Sequence, residues 1–156
     1  MSPSIKEELQ QKSFRNPHQQ VQVNILFTSG WIESRHLQIF KKFGISHQQY
    51  NVLRILKGSH PNSLNLGQIK SRMLDRMSDT SRIVERLRTS GYLKRLTSPD
   101  DRRVAKIMIT EKGLQLLAKM ANEEKVLDGI SHGLTDDEAK QLSELLDKLR
   151  QAVAEN

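Results

Sequence analysis

The chain has 156 residues, 36% of them apolar and 28% charged, a composition that suits water and a modest core. Aromatic residues make up only 4%, which argues against a single-strand nucleic-acid binder built on stacking platforms. The net charge is +7 and cysteine is absent, so disulfides, thiol catalysis and cysteine redox sensing are excluded.

Residues 1–17 are polar, with a short helix expected over about 5–13 before Asn16-Pro17. Val21, Ile25, Ile32, His36, Ile39 and Phe43 then recur at helical spacing up to Gly44. Ser46 and Gln49 form a capping-box pair that starts a helix with Tyr50, Leu53 and Leu56 on one face. Gly58 to Ser63 is a loop. Asn65 is suited to cap a short helix carrying Leu66, Ile69 and Met73. The next helix starts near Ser78, with Ile83, Val84 and Leu87 inward, and ends at Ser90-Gly91. Residues 92–97 and 104–109 read as strands around a turn at Ser98-Pro99-Asp100-Asp101. Thr110 caps a further helix bearing Leu114, Leu117 and Ala121, and Gly129 and Gly133 bracket a break. Thr135 and Glu138 cap a last helix, with Leu134 as a hydrophobic staple and Leu142, Leu145, Leu146, Leu149 and Val153 along it.

The expected fold is mainly α with a small β-hairpin. A winged helix-turn-helix domain over 46–113 is flanked by dimerisation helices at 1–45 and 114–156. The helices near 21–43 and 114–153 carry more apolar surface than the central lobe can cover, so a symmetric partner is expected to bury the rest.

Six of the seven net charges sit within residues 70–106. Charge alone leaves two readings open, a field that draws a polyanion or a solvated basic surface. The helix after Ser78 sharpens this. Asp79, Arg82 and Arg86 share one face, Thr80 and Ser81 place hydroxyls in the first turn, and the free amides there suit a phosphate. Arg82 and Arg86 have the planar fork that reads guanine or clamps phosphate. Asp79 is left with three roles: accepting from cytosine, orienting Arg82 or complementing the helix dipole. At the hairpin tip Pro99 gives rigidity and Asp101 holds an arginine. Arg102 and Arg103 supply the charge, one of them for a narrow minor groove. The expected DNA-contacting set is Arg76, Ser78, Asp79, Thr80, Ser81, Arg82, Arg86, Asp101, Arg102 and Arg103.

The run from Asp101-Arg102-Arg103 through Ile107, Ile109 and Thr110 to Gly113 resembles the wing and following helix start of the MarR family. Ser81-Arg82-Ile83-Val84-Glu85-Arg86-Leu87 with Gly91-Tyr92-Leu93 resembles that family's recognition helix and its exit, and Ser46 to Leu53 its second helix. The sequence departs from the family at Met73-Leu74-Asp75-Arg76-Met77, a more charged and methionine-rich turn that makes Arg76 an extra phosphate contact. The resemblance implies a bacterial or archaeal regulator of transcription, a homodimer joined by its first and last helices. It also implies release of DNA by a small-molecule effector, often phenolic, in the crevice between dimer helices and DNA lobe. Phe27, Trp31, His36, Phe40 and Tyr50 lie in segments suited to line it.

The expected function is a sequence-specific double-stranded DNA-binding regulator, a repressor on an inverted repeat with half-sites about 34 Å apart. The alternative is a winged-helix protein-interaction module without specific DNA binding. No enzyme is expected, because nucleophile motifs, phosphate loops and dinucleotide fingerprints are absent. No cofactor is expected either, and His18, His36, His47, His60 and His132 lack metal-ligand spacing. With no apolar signal-peptide run and no stretch near the ~20 apolar residues of a membrane span, the expected location is the cytoplasm.

Overall fold

A computed structural model describes residues 3–97 and 104–151. The helix starts follow the capping chemistry of the sequence closely. Ser4 and Glu7 form a reciprocal box at α1 (Ile5–Glu8), which is shorter than expected. Asn16 accepts from the Gln19 N–H and Pro17 takes the first position of α2 (Pro17–Lys42). Both arms of the Ser46/Gln49 box are made at α3 (His47–Ser59). Each box satisfies two backbone donors that would otherwise have no partner.

Asn65 does two things. It ends a two-residue strand, β1 (Leu64–Asn65), and boxes with Gln68 to start α4 (Leu66–Arg72). The sequence reading anticipated the cap and missed the strand. Helix α5 (Thr80–Thr89) leads into β2 (Leu93–Leu96), and β3 (Lys106–Ile109) into α6 (Glu111–Gly129). The sheet is antiparallel in the order β1-β3-β2, with Leu64 opposite Ile107 and Leu93 opposite Ile109. Between α5 and β2 the chain reverses at Gly91, whose φ of +81° suits a residue without Cβ.

The chain divides into two compact units, Met1–Leu117 and Ala118–Asn156. The first holds the winged-helix layers together with α2. Its core is built from Phe40, Val52, Leu53, Leu56, Ile69, Val84, Leu87 and Ile107, each at most 2% exposed. Helix α3 packs against α5 and β3, and α4 against α5. Thr110 fastens the β3–α6 junction, donating to the Gly91 carbonyl at 2.7 Å and accepting from the Gly113 N–H.

Helix α2 buries only its C-terminal end, at Ile39 and Phe40. Val21, Leu26, Phe27, Trp31 and Leu37 are exposed along the rest. In the second unit, the expected Thr135/Glu138 box starts α7 (Asp136–Gln151). None of the described residues of α7 is buried, and Leu142, Leu145 and Leu149 are exposed.

Candidate nucleic-acid interface

The outer face of α5 is presented by its inner one. Thr80, Val84 and Leu87, spaced four and three apart, form the buried stripe. The sequence reading had placed Ile83 there and Thr80 outside. Ile83 is half-buried and Thr80 is only 3% exposed. The first helical residue points inward because it lies one turn before Val84, and a threonine methyl packs well in such a place. Thr80 therefore leaves the outward set, while Ser81, Arg82 and Arg86 stay exposed.

Asp79 caps the helix, its carboxylate accepting from the Arg82 N–H at 3.1 Å. The cap also sets a negative charge at the helix start, the dipole-complementing role among its three candidates. The turn before it is also organised by an acid. Asp75 accepts from the Met77 N–H and from the Ser78 hydroxyl, both at 2.9 Å. Ser78 is half-buried, its hydroxyl engaged with Asp75, whereas Arg76 is exposed. Leu74 donates its N–H to the Asn51 side chain at 2.9 Å, which ties this turn to α3.

An open groove runs along α5 past Ser81, Arg82, Glu85 and Arg86, and Gln49 of α3 and Arg95 of β2 also line it. Neither Arg82 nor Arg86 has an acidic partner among the described residues. Sequence reasoning missed Gln49, Glu85 and Arg95 among the residues that line this groove. The Glu85/Arg88 spacing of three was a legible ion-pair signal. The approach of Arg95 from another element was not. Asp101, Arg102 and Arg103 lie outside the described residues.

A second constellation joins α2 to α3. His36 packs edge-on to His47 and Phe40, with centroids 5.1 and 5.8 Å apart. Phe40 stacks on His47 and lies 4.7 Å from the Tyr50 ring. Burial holds both imidazoles below their ordinary range; the neighbouring His47 lowers His36 further, and Glu33 opposes the shift of each. The Nδ1 atom of His36 is buried without a hydrogen-bond partner. Three of the five expected effector-lining residues (His36, Phe40 and Tyr50) thus meet, while Phe27 and Trp31 are exposed on α2. Among the described residues no group of three metal-binding side chains is assembled, and no helix is long and apolar enough to cross a membrane.

The MarR family profile matches residues 43–104, which span α3 to the wing. The Escherichia coli HTH-type transcriptional regulator PapX is 29% identical over 119 residues, covering 76% of this chain and 73% of PapX. The crystal structure of a MarR transcription factor from Planctomyces limnophilus superposes with a TM-score of 0.67 at 29% identity, over 86% of this chain and 98% of that one. The fold is also that of the Streptomyces coelicolor MarR regulator Sco3205, solved in complex with DNA, with a TM-score of 0.77 at 21% identity and 91% of both chains covered. With these matches in sequence and fold, the chain belongs to the MarR family of DNA-binding winged-helix transcriptional regulators.

Proposed function

We propose that this protein is a homodimeric repressor that binds an inverted-repeat operator in the cytoplasm and occludes a promoter. The observation that carries the reading is the pair Arg82 and Arg86, exposed on a helix anchored by Thr80, Val84 and Leu87 and free of acidic partners among the described residues. Such a helix enters the major groove with its N-terminal half, where Ser81 and Arg82 meet base edges and Arg86 reads a base or clamps a phosphate. Arg76 contacts the backbone from the preceding turn. At the wing, Arg102 or Arg103 addresses the adjacent minor groove, and Asp101 holds an arginine in place.

The dimer is supported by the apolar residues that α2 and α7 each leave exposed, Leu26 at 73% and Leu145 at 62% among them. A two-fold partner covers such faces and sets two α5 helices about 34 Å apart, one turn of DNA. Effector release is assigned to the His36, His47, Phe40 and Tyr50 cluster. The unpaired His36 Nδ1 supplies a polar anchor beside aromatic walls, which suits a phenol.

Selection of bound duplexes from a random pool tests the operator reading. A palindromic consensus is expected, and Leu145→Glu should shift the purified protein toward monomer and weaken binding. Absence of any enriched sequence would instead support a protein-interaction module. For the effector, a panel of phenols and aromatic carboxylates should displace the selected duplex, and His36→Phe should blunt the response.

A further inference from the structure

The groove along α5 holds an acid in its midst. Glu85 lies one turn after Ser81 and Arg82 and directly before Arg86. Both of its carboxylate oxygens are engaged. Arg88 donates from Nη2 to Oε1 at 2.6 Å and from Nε to both oxygens at 3.1 and 3.2 Å. Arg95 brings its Nη2 to 3.7 Å of Oε2 from β2, so one carboxylate bridges the recognition helix and the first strand of the wing. The three side chains are 44–48% exposed, so burial does not force them together. The pairing is nonetheless reflected in their acidities: hydrogen bonding to Arg88 lowers the Glu85 carboxyl and raises the guanidinium in turn.

The surface around Glu85 thus carries four arginines in two classes, Arg82, Arg86 and Arg95 along the groove and Arg88 on the far side of Glu85. Arg82 and Arg86 have no acidic partner among the described residues, whereas Arg88 and Arg95 share Glu85. A guanidinium held by a carboxylate on its own surface has a weaker claim on a phosphate, because the new contact must break the old one. Phosphate contacts carry no sequence information, and each releases a counterion wherever the protein lands. We infer that Glu85 is a positioning residue that withholds Arg88 and Arg95 from the DNA backbone and so limits sequence-independent binding. The inference rests on the DNA-binding reading above. It adds a brake that composition conceals, since a count of basic residues treats all four arginines alike.

The test titrates a labelled random-sequence duplex with the full chain at several monovalent salt concentrations. Glu85→Gln keeps the shape of the side chain and removes its charge. At about 0.1 M salt it should bind the random duplex roughly tenfold more tightly, with a log–log salt slope steeper by about one per arginine that reaches a phosphate. Adding Arg88→Ala and Arg95→Ala to that variant should abolish the gain. Arg88→Ala alone should keep the wild-type slope, because the clamped arginine is not in use. An unchanged or lower affinity of Glu85→Gln, or a shallower slope in Arg88→Ala, would overturn the clamp. A wild-type chain that binds no duplex would overturn the DNA-binding reading and this inference with it. Wild-type binding alongside an inert Glu85→Gln would overturn the clamp alone.

Discussion

Asn51 accepts a hydrogen bond from the backbone N–H of Leu74 at 2.9 Å, across 23 residues of sequence. The contact joins α3 to the turn that delivers α5. With Leu74 itself 74% exposed, the turn has little apolar packing there to hold it. Asn51→Ala should cost about 0.5–1.5 kcal/mol in urea unfolding, the usual net value of such a bond. It should also weaken operator binding beyond any effect of stability, because the start of α5 loses its brace. Equal operator affinity in the variant would show that Asp75 alone positions the turn.

The arginines of the interface should separate by role. Arg82→Ala is expected to cost about 1–3 kcal/mol on the selected operator and to relax the preference at one base position. Arg76→Ala should weaken all duplexes evenly and make the salt slope shallower by about one. Thr80→Ala should lower thermal stability while leaving the sequence preference intact, since its side chain lies in the core. Anisotropy titrations with matched operator variants distinguish the three.

Gly113 sits where β3 turns into α6. A Cβ there would come within 2.5 Å of the Tyr92 carbonyl oxygen and 2.7 Å of Ile109 Cγ1. One neighbour is backbone and the other belongs to a buried residue, so neither yields easily. Gly113→Ala should destabilise the protein by about 1–3 kcal/mol, the range for an overpacked core. Calorimetry should show a lower Tm, and a Tm equal to wild type would mean that the β3–α6 junction relaxes freely.

The His36 and His47 pair predicts a pH dependence with a definite sign. Burial lowers both imidazoles in the folded state, so the unfolded chain binds more protons once the pH falls into the ordinary histidine range near 6.5. The contribution to stability is complete above that range. It is lost progressively as the pH drops through 6.5 toward the lower folded values, with Glu33 moderating the loss. Melting curves between pH 5 and 7.5 should show this decline, and His36→Phe, which keeps a ring against Phe40, should flatten it. A decline of equal steepness in that variant would place the titrating group elsewhere.

How much of this was legible in advance differs from one residue to the next. The caps at Ser46, Asn65 and Thr135 were readable because a cap is a local event, decided within four residues by a side chain and an N–H of the same segment. The pairing of β1 with β3 was not, because Leu64 meets Ile107 across 43 positions and a two-residue strand has no periodicity of its own. Thr80 shows the limit of polarity as a guide: its place in the helical repeat, not its hydroxyl, decides which way it faces.

The order of the helices and of the hairpin, the basic stretch and the exposed arginines of α5 are written in the sequence. These follow from periodicity and local hydrogen-bonding preference, which act over a few residues. Folding in three dimensions is what makes Arg95 cross from β2 to share Glu85 with Arg88, ties Asn51 to the turn at Leu74, and buries the unpaired Nδ1 of the half-buried His36. Each of these depends on side chains brought together from different elements, and no local rule encodes that distance.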